Sequence, residues 1–286
     1  MAQNNEHHGQ QRSGSTDITN TTHTTEHAEK STIGSITPLM IADPWHELKQ
    51  FTSARIALGR AGSSLPTKEI LNFGLSHAMA RDAVHLPLDV EALAASLKEI
   101  GLETLQVQSK AADRHTYLLR PDLGRRLNDE NRQQLLSHHV AIPIDLVIVI
   151  GDGLSSLAIQ RHAKPFLEVL FKQLPASWKI APIIIAKQAR VALADEVGEC
   201  LGARMSVILI GERPGLSSPD SMGIYLTYAP KVGCSDAERN CISNIRQEGL
   251  AYDLAAQKLN MLIRESIRLK LSGVNLKDES FLNIIE

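Results

Sequence analysis

From residue 141 onward, short apolar runs alternate along the chain with longer segments in which apolar positions recur at helical spacing. The apolar runs predict four strands, at 144–150, 180–186, 205–210 and 223–228. The helical segments predict helices at 154–174, 191–201, 236–245 and 252–271, the last ending near Gly273. Because the runs are rich in isoleucine and valine, they suit strands covered on both faces. We therefore expect a small, Rossmann-like, mostly parallel α/β layer domain.

The connection between the third and fourth strands is about a dozen residues, which is short for a parallel crossover. The direction of the fourth strand therefore stays open at this stage.

The chain before residue 141 has a different texture and predicts an N-terminal helical region over 36–140. Helices are expected at 46–58, 67–84 and 90–100, with Thr67 and Asp89 as N-caps, and 116–119 is compatible with a short strand. On the second helix His77, Arg81 and His85 are four residues apart. They form either a solvated polar face or a face for a polar partner. The resulting organisation is a disordered polar tail over 1–35, a helical region over 36–140 and an α/β domain over 141–286.

Composition narrows the functional class. The chain has 286 residues, a formal net charge of -2 and 43% hydrophobic residues, as in ordinary globular proteins. The near-neutral charge argues against a general nucleic-acid binder. Three cysteines without CxxC spacing fit a reducing compartment and give no zinc motif. With no long apolar run and no apolar core near Met1, a soluble, intracellular protein is expected.

The turn after the first predicted strand, Gly151-Asp-Gly-Leu-Ser-Ser156, could either close a buried strand tightly or approach a ligand. It ends in serine rather than glycine, and the second strand ends at Lys187 rather than at an acid, which argues against dinucleotide binding. If the first three strands are parallel, the loops after them share one edge, the usual ligand crevice of such sheets. Glu212 and Arg213 follow the third strand there, and they could equally pair with other charges.

Several longer stretches resemble the small subunit of ethanolamine ammonia-lyase. They run from about residue 44 to 275 in the family's order and read Ala54-Arg-Ile-Ala-Leu-Gly-Arg60, His77-Ala-Met-Ala-Arg-Asp-Ala-Val-His85, Ala189-Arg-Val-Ala-Leu-Ala-Asp-Glu-Val-Gly198, Val207-Ile-Leu-Ile-Gly-Glu-Arg-Pro-Gly-Leu216 and Arg239-Asn-Cys-Ile-Ser-Asn-Ile245.

The resemblance implies part of an adenosylcobalamin enzyme that converts ethanolamine to acetaldehyde and ammonia. In that family a barrel-forming large subunit holds the substrate, and the small subunit covers the cofactor from the other side. The cofactor contacts carry over to Val191, Glu212 and Cys241, none of them catalytic. This chain alone is then expected to be inactive, and its location to be the cytoplasm, within a bacterial microcompartment. The tail lacks the amphipathic targeting helix of many family members, which puts targeting by this segment in doubt.

Two alternatives stay open on the residues alone. One is a stand-alone nucleotide-binding α/β protein, and the other is a pure interaction subunit.

Asp113-Arg-His-Thr-Tyr-Leu118 has the Asp and His spacing of the D-x-H-x-x-G motif, in which a histidine replaces the lower base of cobalamin, but leucine stands in place of the glycine. A cofactor bound here is therefore expected to keep its own benzimidazole on cobalt.

Overall fold

The computed structural model describes residues 40–52, 54–138 and 143–276. The predicted disordered tail, 1–35, lies outside the described residues. In the described part of the chain no helix is long and apolar enough to cross a membrane.

A six-stranded sheet forms the centre of the molecule. Its strands are β3 (Thr104–Gln108), β4 (Ile144–Gly151), β5 (Ile183–Lys187), β6 (Ala203–Gly211), β7 (Met222–Tyr228) and β8 (Arg239–Ile245). Two earlier strands, β1 (Met40–Ile41) and β2 (Arg60–Ala61), form a separate short antiparallel pair. The order across the sheet is β3-β5-β4-β6-β7-β8. The first four strands in this order are parallel, whereas β7 and β8 add antiparallel pairs. The predicted α/β class with a mostly parallel sheet is confirmed, and the fourth predicted strand is antiparallel.

Helices cover both faces of the sheet. They are α1 (Thr67–His85), α2 (Val90–Lys98), α3 (Arg114–Leu119), α4 (Asp129–Ser137), α5 (Ser156–Gln173), α6 (Leu193–Leu201) and α7 (Tyr252–Leu269), with 3₁₀ turns at His46–Phe51, Leu123–Arg125, Asp236–Glu238 and Gly273–Asn275. One core contains side chains of α2, α5 and α7, and the other contains side chains of α4 and α6. Along β6, for example, Val207 and Leu209 belong to the first core, and Ile208 and Ile210 to the second. This is the alternation expected of a strand that is buried on both sides.

Three element predictions were wrong in type. The expected helix at 46–58 is only the 3₁₀ turn His46–Phe51, and the expected strand at 116–119 is helix α3, capped by Asp113. The expected helix at 236–245 is a single 3₁₀ turn followed by strand β8. The capping box of Ser235 and Glu238 starts that turn, but the β-branched residues that follow pair with β7. Pairing along an open sheet edge thus prevails over a good local helix signal.

Helix ends and one edge strand also differ from the expectations. Asp89 caps α2 as predicted, with Oδ1 accepting a hydrogen bond from Ala92 N, whereas Thr67 is the first residue of α1 rather than its cap. Helix α7 ends at Leu269, where Lys270 takes the left-handed conformation expected of Gly273. Strand β3 was not predicted, yet it pairs in parallel with β5 at one edge of the sheet.

Candidate functional site

Two of the three predicted contacts lie beyond the carboxyl ends of two parallel strands, β5 and β6, which β4 separates. Val191 stands between β5 and α6, and Glu212 directly follows β6. Cys241 lies in the edge strand β8 rather than in the helix predicted at 236–245. It pairs with Tyr225, which in turn pairs with Ile208 of β6. Cys241 therefore lies a few residues inward from the edge that Glu212 occupies.

All three residues are nevertheless associated with the same face of the sheet. Val191 and Tyr225 pack against the core on the α6 side. Because directly paired residues project to the same side, Cys241 shares that face with Tyr225. A Cβ atom at Gly223 would lie 2.9 Å from Glu212 Oε1, so the glycine leaves room for this carboxylate above β7. Helix α6 covers β4 and β6, but Cys241 and Ser243 on β8 are exposed. We call the five residues associated with this face, Val191, Glu212, Gly223, Tyr225 and Cys241, the sheet-face patch.

The Glu212 carboxylate has two functionally different oxygens. Oε2 accepts a hydrogen bond from the Ser221 hydroxyl and another, at 3.3 Å, from Asn244 N. None of the described residues donates a hydrogen bond to Oε1, which lies over Gly223. Within the described chain the internal partners of Glu212 are thus a hydroxyl and an amide, rather than the cation Arg213 considered from the sequence. One oxygen fixes the side chain and the other can accept a bond from a ligand.

Tyr225 occupies the middle of the sheet-face patch and was not anticipated. Burial, and then the neighbouring Cys241 and Glu212, raise the pKa of its hydroxyl well above the ordinary value. The phenol therefore stays protonated at physiological pH and can donate a hydrogen bond. Sequence alternation along β7 would have placed Tyr225 beside Cys241 only if 239–245 had been recognised as a strand. The Cys241 thiol lies 3.2 Å from the Ser243 hydroxyl on the same strand.

A buried ion pair borders the patch at the end away from the carboxyl edge. Arg239, at the start of β8, contacts Asp195 of α6 through Nε at 3.1 Å and Nη2 at 2.5 Å. The two side chains are only 3% and 2% exposed, and burial raises the pKa of the Asp195 carboxyl. Arg239 Nη1 also contacts Asp236 at 2.6 Å. This pair joins the helix that follows Val191 to the strand that carries Cys241.

The remaining sequence candidates lie elsewhere. His77, Arg81 and His85 are exposed on α1, where the ring of His77 packs edge-on against Phe73. Asp113 caps α3 through a bond from Thr116 N, and His115 is exposed. Among the described residues no cluster of three or more histidine, cysteine, aspartate or glutamate side chains has a metal-binding arrangement.

Comparison with known proteins connects this geometry to a family. The model of the ethanolamine ammonia-lyase light chain matches residues 42–277. The ethanolamine ammonia-lyase small subunit of Pseudomonas syringae pv. tomato is 58% identical over 248 residues, covering 86% of each chain. Those of Pseudomonas fluorescens and Pseudomonas aeruginosa are each 57% identical over 247 residues, covering 85% of this chain and 89% and 90% of theirs. The family-model match spans every described helix and every described strand except β1, and the chain therefore belongs to the ethanolamine ammonia-lyase small-subunit family.

Proposed function

We propose that this chain helps to hold adenosylcobalamin against a catalytic large subunit that converts ethanolamine to acetaldehyde and ammonia. The observation that supports the proposal is the sheet-face patch, because Val191, Glu212 and Cys241 are all associated with the same side of the sheet. Three separate chain segments contribute to it, and family membership supplies the reaction. In the absence of a catalytic acid–base or nucleophile set in the sequence, we assign the chain a binding role.

The chemistry of the patch fits a large, flat ligand that carries amide groups. Glu212 offers a carboxylate oxygen without an internal donor, and Tyr225 offers a protonated hydroxyl. Val191 adds an apolar, half-buried side chain. Amide N–H groups donate to carboxylates, and amide carbonyls accept from phenols. Because Gly223 has no Cβ atom, the Glu212 side chain has room to lie directly over β7.

When bound, adenosylcobalamin supplies the radical that abstracts hydrogen from the substrate. The residues of this chain would contribute binding, orientation and exclusion of water on one side of the cofactor. Glu212 would accept a hydrogen bond, and Val191 and Cys241 would supply apolar or backbone contact. The region over 141–286 is therefore the proposed cofactor-binding part of the chain.

The proposed large-subunit partner is supported by the exposed apolar surface of α1. This helix has 19 residues, yet only Ala83 is buried. Its large apolar side chains are between 45% and 67% exposed and comprise Ile70, Leu71, Phe73, Leu75 and Met79. Apolar side chains grouped on one helix in this way mark a protein interface more often than a free surface. A cytoplasmic location, within a bacterial microcompartment, remains part of the proposal and rests on the family resemblance.

The decisive experiment is a cobalamin titration, followed by absorption, of the large subunit with and without this chain. We expect tight, saturable binding only when both are present. Leu71→Glu on α1 should weaken assembly, whereas the control Leu254→Glu, at an exposed position of α7, should not. Equal cobalamin affinity in the presence and absence of this chain would contradict the proposed holding role.

A further inference from the structure

We propose that the turn Gly151–Ser155 positions two of the cofactor contacts, with Asp152 as the positioning residue. The inference rests on the proposed function and assigns a role to the glycine turn that neither the reaction nor the patch explains. The turn connects β4 to α5, and it contacts both neighbouring segments that lead to Val191 and Glu212.

The first arm of this turn is the Asp152 carboxylate, whose side chain is only 4% exposed. Oδ2 accepts a hydrogen bond from Gln188 N and Oδ1 one from Ala189 N, both at 2.9 Å. Gln188 has a φ of 54°, a left-handed conformation that costs free energy for a residue with a side chain. Two backbone N–H groups that donate to one buried carboxylate hold this conformation. Val191 follows within three residues, before the first turn of α6.

Two further side chains brace the same segment. Arg114 lies 3.5 Å from Asp152 Oδ2 and donates to the carbonyl of Gly153 at 2.8 Å. The Tyr117 hydroxyl donates to the carbonyl of Ala189 at 3.0 Å. Burial raises the pKa of Asp152, while Ala189 N, Arg114 and Gln188 N counteract that shift. Burying this carboxyl group costs free energy, and its contacts to Arg114 and to the backbone of Gln188 and Ala189 offset that cost.

The second arm reaches the end of β6. Leu154 N donates to the carbonyl of Gly211 at 2.9 Å, and the Ser155 hydroxyl donates to the carbonyl of Pro219 at 2.8 Å. Gly153 has a φ of 57°, and a Cβ there would lie 2.2 Å from the Gly211 carbonyl oxygen. Glu212 is the next residue. One turn thus sets the spacing between the segment before Val191 and the segment before Glu212.

Asp152→Asn tests the first arm because asparagine keeps the shape but presents an N–H₂ group to one of the two backbone donors. Asp145→Asn is the matched control, since Asp145 stands at the other end of β4. Its carboxylate also accepts from the backbone, here from the single amide Lys179 N at 2.9 Å, and it also pairs with one arginine, Arg204, at 3.3 Å. Both variants are made in the full chain and assembled with the large subunit. The measurements are the adenosylcobalamin Kd, the large-subunit affinity, the melting temperature and amide hydrogen exchange over residues 187–193.

We expect Asp152→Asn to raise the cobalamin Kd by about fivefold or more, the effect of one ordinary hydrogen bond. Exchange over residues 187–193 should accelerate, the KM for adenosylcobalamin should rise more than kcat falls, and Asp145→Asn should leave all of these nearly unchanged. An unchanged Kd in Asp152→Asn overturns the inference. So does a loss of melting temperature and affinity that matches the control, because that pattern indicates a merely structural carboxylate.

Tyr117→Phe serves as the second variant should Asp152→Asn fail to assemble. It removes only the hydroxyl bond to Ala189 and should raise the Kd in the same direction; an unaltered Kd then refutes the positioning role. Failure of the proposed function gives a different result, since the wild-type complex itself would show no dependence of cobalamin binding on this chain. That result would remove the inference together with the function.

Discussion

Replacing Glu212 by glutamine separates the two oxygens of this side chain. Oε2 is engaged by Ser221 and Asn244 N, so the glutamine amide oxygen can take over that position. The amide nitrogen would then lie where Oε1 now lies, above Gly223. The internal contacts are largely kept, and the acceptor that faces the patch becomes a donor. The substitution therefore acts mainly on whatever binds over β7.

The magnitude follows from the loss of one charge-assisted hydrogen bond. Such a bond contributes roughly 1.5–3 kcal/mol, and each 1.4 kcal/mol corresponds to about a tenfold change in affinity. We expect Glu212→Gln to weaken cobalamin binding by at least about tenfold. The retained contacts on Oε2 predict that the melting temperature and large-subunit association stay close to those of the wild type.

The assay is a cobalamin titration of the reconstituted complex together with thermal unfolding. Ser221→Ala is the matched control, because it removes an internal partner of Glu212 while leaving the charge above Gly223. Its main effect should be a lower melting temperature, with only a small change in cobalamin affinity. An unchanged cobalamin affinity in Glu212→Gln would exclude Glu212 as a cofactor contact, and a lower melting temperature alone would assign it a structural role.

Four further outcomes are expected. The purified chain with adenosylcobalamin but without large subunit should not turn over ethanolamine, and any turnover free of large subunit contradicts the binding role. Electron paramagnetic resonance of the cofactor with nitrogen-15-labelled protein should show no splitting from a protein histidine, because we expect the cofactor to keep its own benzimidazole on cobalt, and such splitting would contradict that expectation. Burial lowers the pKa of His162, whose Nδ1 lies 2.7 Å from the Tyr252 hydroxyl. Below about pH 6.5 the unfolded chain therefore takes up the proton more readily than the folded chain, and the fold loses stability. As the pH is lowered, the urea midpoint should fall more steeply in wild type than in His162→Asn, and equal slopes would disprove this. Arg239→Met leaves the Asp195 carboxylate buried without its partner and should cost about 3–5 kcal/mol in chemical denaturation, whereas Asp195→Leu/Arg239→Met should recover most of that loss, and no recovery would count against the ion pair as its source.

The parallel half of the sheet was predictable because its strands are continuous apolar runs. β4, β5 and β6 consist largely of isoleucine, valine and leucine, which a fully buried strand requires. The carboxyl-edge positions of Val191 and Glu212 follow directly from those three strands. β3 reads Thr-Leu-Gln-Val-Gln, and as an edge strand it buries only Val107 completely. Its alternating polar residues gave no run to recognise.

Strand β8 shows a different limit, because local and long-range preferences conflict there. Ser235 and Glu238 form a true capping box, which indicates a helix start, but only one 3₁₀ turn follows. Arg239 pairs with Asp195, and Ile242 and Ile245 enter the core beneath α7. These contacts are distant in sequence, and together they favour a strand over the helix that the cap suggests. The position of Cys241 next to Tyr225 could therefore not be obtained from local signals.

The glycine turn after β4 illustrates why a sequence pattern typical of ligand loops can serve the protein itself. In phosphate-binding turns, free backbone N–H groups at the start of the helix face the anion. Here Leu154 N is bound to Gly211, and Ala158 N is bound to the Ser155 hydroxyl. The turn also carries the buried Asp152 carboxylate, which would repel an anion. The bonded Leu154 N and the buried Asp152 carboxylate, which disfavour a nucleotide, connect the turn to the β6–β7 and β5–α6 segments. The proposed cofactor contacts come from these separate segments, so their relative positions depend on that connection.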